Sequence, residues 1–205
     1  DKALAECATV DEVLRLFDRY NLESMAGSML FFADRTGDSV IIEGDEMIRK
    51  SGRYQVVTNF YQSLTKPGES PCPRYKIAVD MMKQNPDISI DHYRRILAAT
   101  HMEGSTPTQY SNICDLTKGI VYLYHFHNFQ NEVVVNVKAE LAKGAHSCEL
   151  SSMFPKTHAA DAFRRDKLEQ MQKRMAAIAV KVDRSVLNEY VGRYQLPLEL
   201  HHGKA

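Results

Sequence analysis

Three groups of residues have the types and spacing to do chemistry. The first pairs Thr58-Asn59, at the end of the apolar stretch Tyr54–Thr58, with Cys72-Pro73-Arg74-Tyr75 at the start of a helical pattern. An asparagine amide is a neutral donor suited to a developing oxyanion. An arginine beside it stays charged, lowers a neighbouring thiol's pKa and orients carboxylates. The second group is Ser63-Leu64-Thr65-Lys66, an S-x-x-K spacing followed at a distance by Tyr110-Ser111-Asn112. Such a serine acts as a nucleophile with the lysine as base, provided that it opens a buried helix. Here Pro67-Gly68 breaks the chain directly after Lys66, and Thr117-Lys118-Gly119 has the wrong order for the Lys-Thr-Gly strand that goes with it. The third is His125-Phe126-His127. Residues two apart on a strand share a face, so two imidazoles could meet one metal there. No third ligand is nominated, and Tyr122, Tyr124, Phe126 and Phe129 make an aromatic strand face the simpler reading.

Composition narrows the classes to which these groups could belong. The 205 residues suffice for one ordinary domain, or one with a short appendage. Lysine and arginine total 26, as do aspartate and glutamate, so the formal net charge is zero. Bulk attraction to nucleic acid needs a basic excess, and no nucleic-acid partner is expected. No apolar run approaches the roughly 20 residues of a membrane span. Cys7, Cys72, Cys114 and Cys148 lie far apart, without zinc spacing, and read as free and mostly buried thiols. No metal and no cofactor is expected. Compartment stays open, with an extracytoplasmic location favoured if a signal peptide precedes Asp1.

The elements that must position these groups follow from periodicity. Thr9 and Glu12 form a capping box ahead of Val10, Val13, Leu14 and Phe17. Met29–Ala33 and Ser39–Glu43 flank the turn Asp34–Asp38, and being apolar on both faces they predict a sheet covered on each side. A further short strand is expected at Tyr54–Thr58. Pro73 opens a helix to about Gln84 with Ile77, Ala78 and Met81 inward; Ser89 caps another with Tyr93, Ile96 and Leu97 on one face. Strands are expected at Gln109–Asp115, Ile120–His127 and Glu132–Asn136, then a short helix from Lys138 to Gly144. Asp161 to about Val182 reads as a long polar helix. Its narrow seam of Leu168, Met171, Met175, Ile178 and Val182 suits a helix laid on a surface, or else a coiled-coil homo-oligomer.

Read in order, Phe32–Glu43, Thr58-Asn59, Cys72–Tyr75, Tyr110–Asp115 and Tyr122–Phe126 resemble one family. It is the linear-amide C–N hydrolases of the N-terminal-nucleophile superfamily, which include penicillin V acylase, choloylglycine hydrolase and the isopenicillin N acyltransferases. The likeness covers roughly residues 5–155, and order and spacing carry it rather than any single piece. It implies a four-layer αββα sandwich, within the α+β class, and a cysteine nucleophile exposed as residue one whose own amine serves as base. Asn59 matches the family's oxyanion asparagine and Arg74 the arginine near its nucleophile.

The family's cysteine, a following aspartate and a further asparagine precede the region present here. Residue 1 is Asp1, and Cys7, just ahead of a capped helix, reads as core. The expectation is therefore the C-terminal portion of a cysteine hydrolase or acyltransferase acting on linear amides through an acyl-enzyme, this chain alone being inactive. Its partners would be a small-molecule amide and the missing N-terminal part. The expected division is residues 1–155 for the hydrolase portion, 156–183 for a linker helix and 184–205 for the start of a truncated β-domain. For the last, Leu187–Tyr194 is similar to the opening strand of a small domain appended to β-lactamase-like hydrolases. The competing class is a non-catalytic binding or packing module of the same fold. A serine β-lactamase-like protein is the lesser alternative.

Overall fold

A computed structural model describes residues 2–22, 27–66, 68–85, 87–178 and 185–186. The chain divides into two compact units, Asp1–Ala160 and Asp161–Ala205. The first is mixed α and β, with two small antiparallel sheets. Its helices are α1 (Lys2–Glu6), α2 (Val10–Phe17), α3 (Pro73–Gln84), α4 (Ile90–Thr100) and α5 (Val137–Leu141). One sheet has the order β1-β2-β3 (Met29–Ala33, Ser39–Glu43, Glu46–Arg49), the other β4-β5-β6 (Tyr110–Asp115, Ile120–His125, Asn128–Asn136).

The N-terminal part assembles as its sequence chemistry dictates. Thr9 Oγ1 accepts the Glu12 N–H at 3.3 Å and Glu12 Oε2 accepts the Thr9 N–H at 3.0 Å, closing the capping box that starts α2. In the β1–β2 turn, Gly37 takes a positive φ of 86°, which costs glycine little. Asp34 in that turn reaches across to accept the Val10 N–H at 2.8 Å, tying the first turn of α2 to the hairpin. Partial burial opposes ionisation of Asp34, but hydrogen bonds from Thr36, Val10 and Asp38 outweigh it and hold the carboxyl below its ordinary pKa.

Every residue of β2 is buried, and its two faces have different covers. Val40 and Ile42 pack with Val10, Val13 and Leu22, with Cys7 partly buried against the same cluster as expected of a core thiol. The opposite face carries Ser39, Ile41 and Glu43 and meets the segment after β3. Ser39 Oγ donates to Gln55 Oε1 at 2.7 Å, and Glu43 accepts the Gln62 and Ser63 N–H groups at 2.9 Å each. Residues 54–58, expected as a strand, are thus irregular. They lie over the sheet rather than beside it, and side chains supply the partners a ladder would have supplied. The strand that pairs with β2 on the edge opposite β1 is β3, which sequence reading missed because Glu46–Arg49 shows no alternation long enough to count. Edge strand β1 is less covered than expected, with Phe31 46% exposed.

Helix α3 packs on α4, and α4 on β4. Ala78 is buried in α3, but Ile77 is exposed rather than inward; in α4 the buried residues are His92 and Ile96. In the second sheet, β5 ends at His125 and a two-residue turn of Phe126 and His127 returns the chain to Asn128. The expected turn at 128–131 is instead the start of β6. Beside that turn, Tyr124 is fully buried and its hydroxyl donates to Glu132.

Helix α6 runs from His158 to Ile178, three residues ahead of its expected start. Leu168, Met171 and Met175 of its apolar seam are exposed. Val182 and the Leu187–Tyr194 segment lie outside the described residues, as does all of the expected β-domain except Ser185 and Val186.

Candidate functional site

Of the three chemical groups, the first keeps its two segments adjacent, through Thr58 near Cys72 and Phe60 against Tyr75. The 55–63 segment is pinned by Gln55 Nε2 on the Ile48 carbonyl at 2.8 Å and by Gln62 Nε2 on the Val56 carbonyl at 2.6 Å. From there Phe60 meets Tyr75 edge to face, with ring centroids 5.1 Å apart. The contact brings the end of this segment against the first turn of α3.

Cys72 occupies the N-cap of α3 and Pro73 opens the helix, where its missing N–H costs nothing. The N–H groups of Arg74 and Tyr75 and the Thr58 hydroxyl lie near the Cys72 sulfur. These are loose contacts: the sulfur closes no capping hydrogen bond, and buried Thr58 Oγ1 has no partner of ordinary geometry. Burial pushes the Cys72 thiol up, but those donors and the Arg74 charge prevail and hold it below its ordinary value. Arg74 is half-buried, and Asn59 is exposed. Beside the Phe60–Tyr75 pair opens a recess of about 550 Å³, lined also by Ile48, Val79, Lys66 and Lys76. The corner can therefore stabilise an anion next to a partly apolar recess.

A consequence can be measured on this chain. At neutral pH, Cys72 should be alkylated by iodoacetamide about threefold or more faster than Cys114. Cys114 belongs to an exposed residue, yet enclosure of its sulfur pushes that thiol up. Peptide mapping by mass spectrometry reads both rates, and Arg74→Gln should narrow the gap. Equal rates would remove the anion-stabilising role from this corner.

The other groups come apart. Ser63 lies in an exposed turn, not at a helix start, and its hydroxyl donates to Glu43 Oε2 at 2.9 Å. His125 and His127 do not share a face, because β5 ends between them. His125 is buried and stacks on Phe154 at 5.4 Å, whereas His127 meets His101, with ring centroids 4.6 Å apart. His101 and Glu103, which sequence reasoning missed, stand beside it; Glu103 and the Ala98 carbonyl raise the pKa of His101. The cysteines are all free, but Cys114 and Cys148 are exposed rather than buried. Among the described residues no helix is long and apolar enough to cross a membrane.

Neither family profiles nor curated proteins nor solved structures yielded a match to this chain.

Proposed function

We propose that this chain is the C-terminal portion of a cysteine N-terminal-nucleophile amide hydrolase or acyltransferase. One observation supports the reading: Thr58 and Phe60, the two neighbours of Asn59, lie against Cys72 and Tyr75 at the first turn of α3, more than a dozen residues away in sequence. That turn presents N–H groups and the positive end of the helix dipole, as oxyanion chemistry requires. On this reading, a cysteine outside the chain attacks a linear amide. Asn59 donates its amide N–H to the tetrahedral oxyanion, and the Arg74 guanidinium holds the reacting thiol or the substrate. Collapse of that intermediate breaks the C–N bond and releases the amine, which takes the proton that the nucleophile's own α-amine removed from the thiol. The acyl group, now a thioester, lies against the Phe60–Tyr75 recess until water or an amine resolves it and frees the thiol. The two antiparallel sheets would be parts of the inner layers of an αββα sandwich, with α3 and α4 in an outer one.

The test is a mass-spectrometric screen of acylated amines, phenoxyacetyl and bile-acid amides among them, against the intact protein and against the 205-residue chain. The reading expects acid release and a trapped acyl-cysteine with the intact protein only. Turnover by the 205-residue chain alone would overturn it, as would an intact sequence lacking an upstream strand-opening cysteine. The second of these outcomes would favour a binding module instead.

A further inference from the structure

We propose that His101, Glu103 and His127 form a binding site for a divalent transition-metal ion of the zinc type. The ion would be held by His101 Nε2, a Glu103 carboxylate oxygen and His127 Nδ1, with a fourth position open to water or a small anion. The site is independent of the amide-hydrolase reading.

Geometry is the first support. The three ligand atoms all lie within 4.8 Å of one another. His101 Nε2 is 3.0 Å from Glu103 Oε1, and His127 Nδ1 is 4.0 Å from the same oxygen. Tetrahedral zinc with bonds of about 2.0–2.1 Å sets its ligands about 3.3 Å apart, between these two separations. Small side-chain rotations close the site, and Glu103, 72% exposed on its side chain, is free to make them.

The second support is the way the rings are held. A metal-binding histidine usually gives its other ring N–H to a carbonyl or carboxylate, which fixes the tautomer and aims the lone pair. Both rings do so here. His101 Nδ1–H donates to the Ala98 carbonyl at 2.6 Å, leaving Nε2 toward Glu103. His127 Nε2–H donates to the Met102 carbonyl at 3.1 Å, leaving Nδ1 toward the same carboxylate. The carbonyls differ and so do the ring nitrogens, yet the remaining nitrogens converge on the Glu103 carboxylate.

The backbone that presents these rings is itself braced. His101 is the C-cap of α4. The following loop is closed by Thr108, whose N–H donates to the Met102 carbonyl at 2.8 Å and whose Oγ1 accepts the Met102 N–H at 2.9 Å. His127 follows Phe126, the non-glycine residue with positive φ (52°) among the described residues. Such a conformation is unfavourable for a residue with a Cβ and persists where the surroundings over-determine it. Two imidazoles with one carboxylate favour zinc, copper or nickel over magnesium or calcium, which take oxygen ligands.

The experiment titrates the 205-residue chain with Zn²⁺ against a chromophoric chelator, in a His201→Ala/His202→Ala background that removes the adjacent histidines of the tail. Long-range ¹⁵N NMR of the histidines reads the site. One equivalent should bind, shifting His101 at Nε2 and His127 at Nδ1, and zinc should raise the thermal midpoint. His101→Gln or His127→Gln should weaken binding by about tenfold or more. Circular dichroism of the metal-free variants checks folding. Should either imidazole variant fail to fold, Glu103→Gln on the exposed residue carries the test, with a several-fold loss expected. Zinc binding unchanged in folded variants, or shifts confined to other histidines or to the cysteines, would overturn the proposal.

Discussion

On the proposed amide-hydrolase function, Asn59→Ala in the full-length enzyme is expected to lower kcat by about 10²-fold or more while leaving the fold in place. The two halves of this expectation have separate physical grounds. A donor that meets the oxyanion only in the tetrahedral state contributes to the transition state and little to substrate binding, so kcat should fall with KM nearly constant. Folding should be spared because Asn59 is exposed. Its segment is held by Gln55, Gln62 and the Phe60–Tyr75 contact, none of which involves the Asn59 side chain. Substitutions at such positions usually move stability by no more than about 0.5 kcal/mol. Steady-state kinetics with paired denaturant titrations separate the two. Near-normal turnover would remove Asn59 from the site.

Glu43→Ala should have the largest effect on stability. Glu43 is 3% exposed, on the face of β2 turned away from α2. Its carboxylate accepts the Gln62 N–H, the Ser63 N–H and the Ser63 hydroxyl, each at 2.9 Å. Removing it strands those donors and the charge-assisted bonds they made. Ser63 is near water and recovers part of the loss, so the cost should be about 2–3 kcal/mol. For a chain of this size that is a fall in thermal midpoint of about 5–10 °C. A fall of only a degree or two would show that Glu43 does not hold the segment. The same variant should slow alkylation of Cys72, because Gln62 and Ser63 anchor the segment that carries Thr58 to the thiol. Glu43→Gln, which keeps the shape and one acceptor, should retain about half of the lost stability.

Much of the local structure was legible in the sequence. Thr9 and Glu12 announce α2, Ser89 announces α4 and Pro73 opens α3, because capping and proline chemistry act within one helical turn. The Asp34–Asp38 turn marks the first hairpin for the same reason. The errors arose where a partner is distant in sequence. Tyr54–Thr58 has strand-like residues, but the paired edge of β2 is taken by β3, and the segment lies on the face instead. His125 and His127 have the spacing of a shared strand face, yet the two-residue turn at Phe126 and His127 ends the alternation that would align them.

What the sequence alone determined is therefore the α+β class, the starts of α2, α3 and α4, the first hairpin and the residue types able to stabilise an anion. A formal charge of zero argued in the same way against bulk attraction to nucleic acid. Only the tertiary structure decided which of those residues meet. The Thr58–Cys72 corner exists because Glu43 and Gln62 fold the segment after β3 over β2, and the His101–Glu103–His127 cluster because the C-terminal end of α4 faces the β5–β6 turn. Caps, turns and periodicity are set by neighbours a few residues away. Convergence of side chains is set by burial and by hydrogen bonds across the fold, which sequence spacing does not encode.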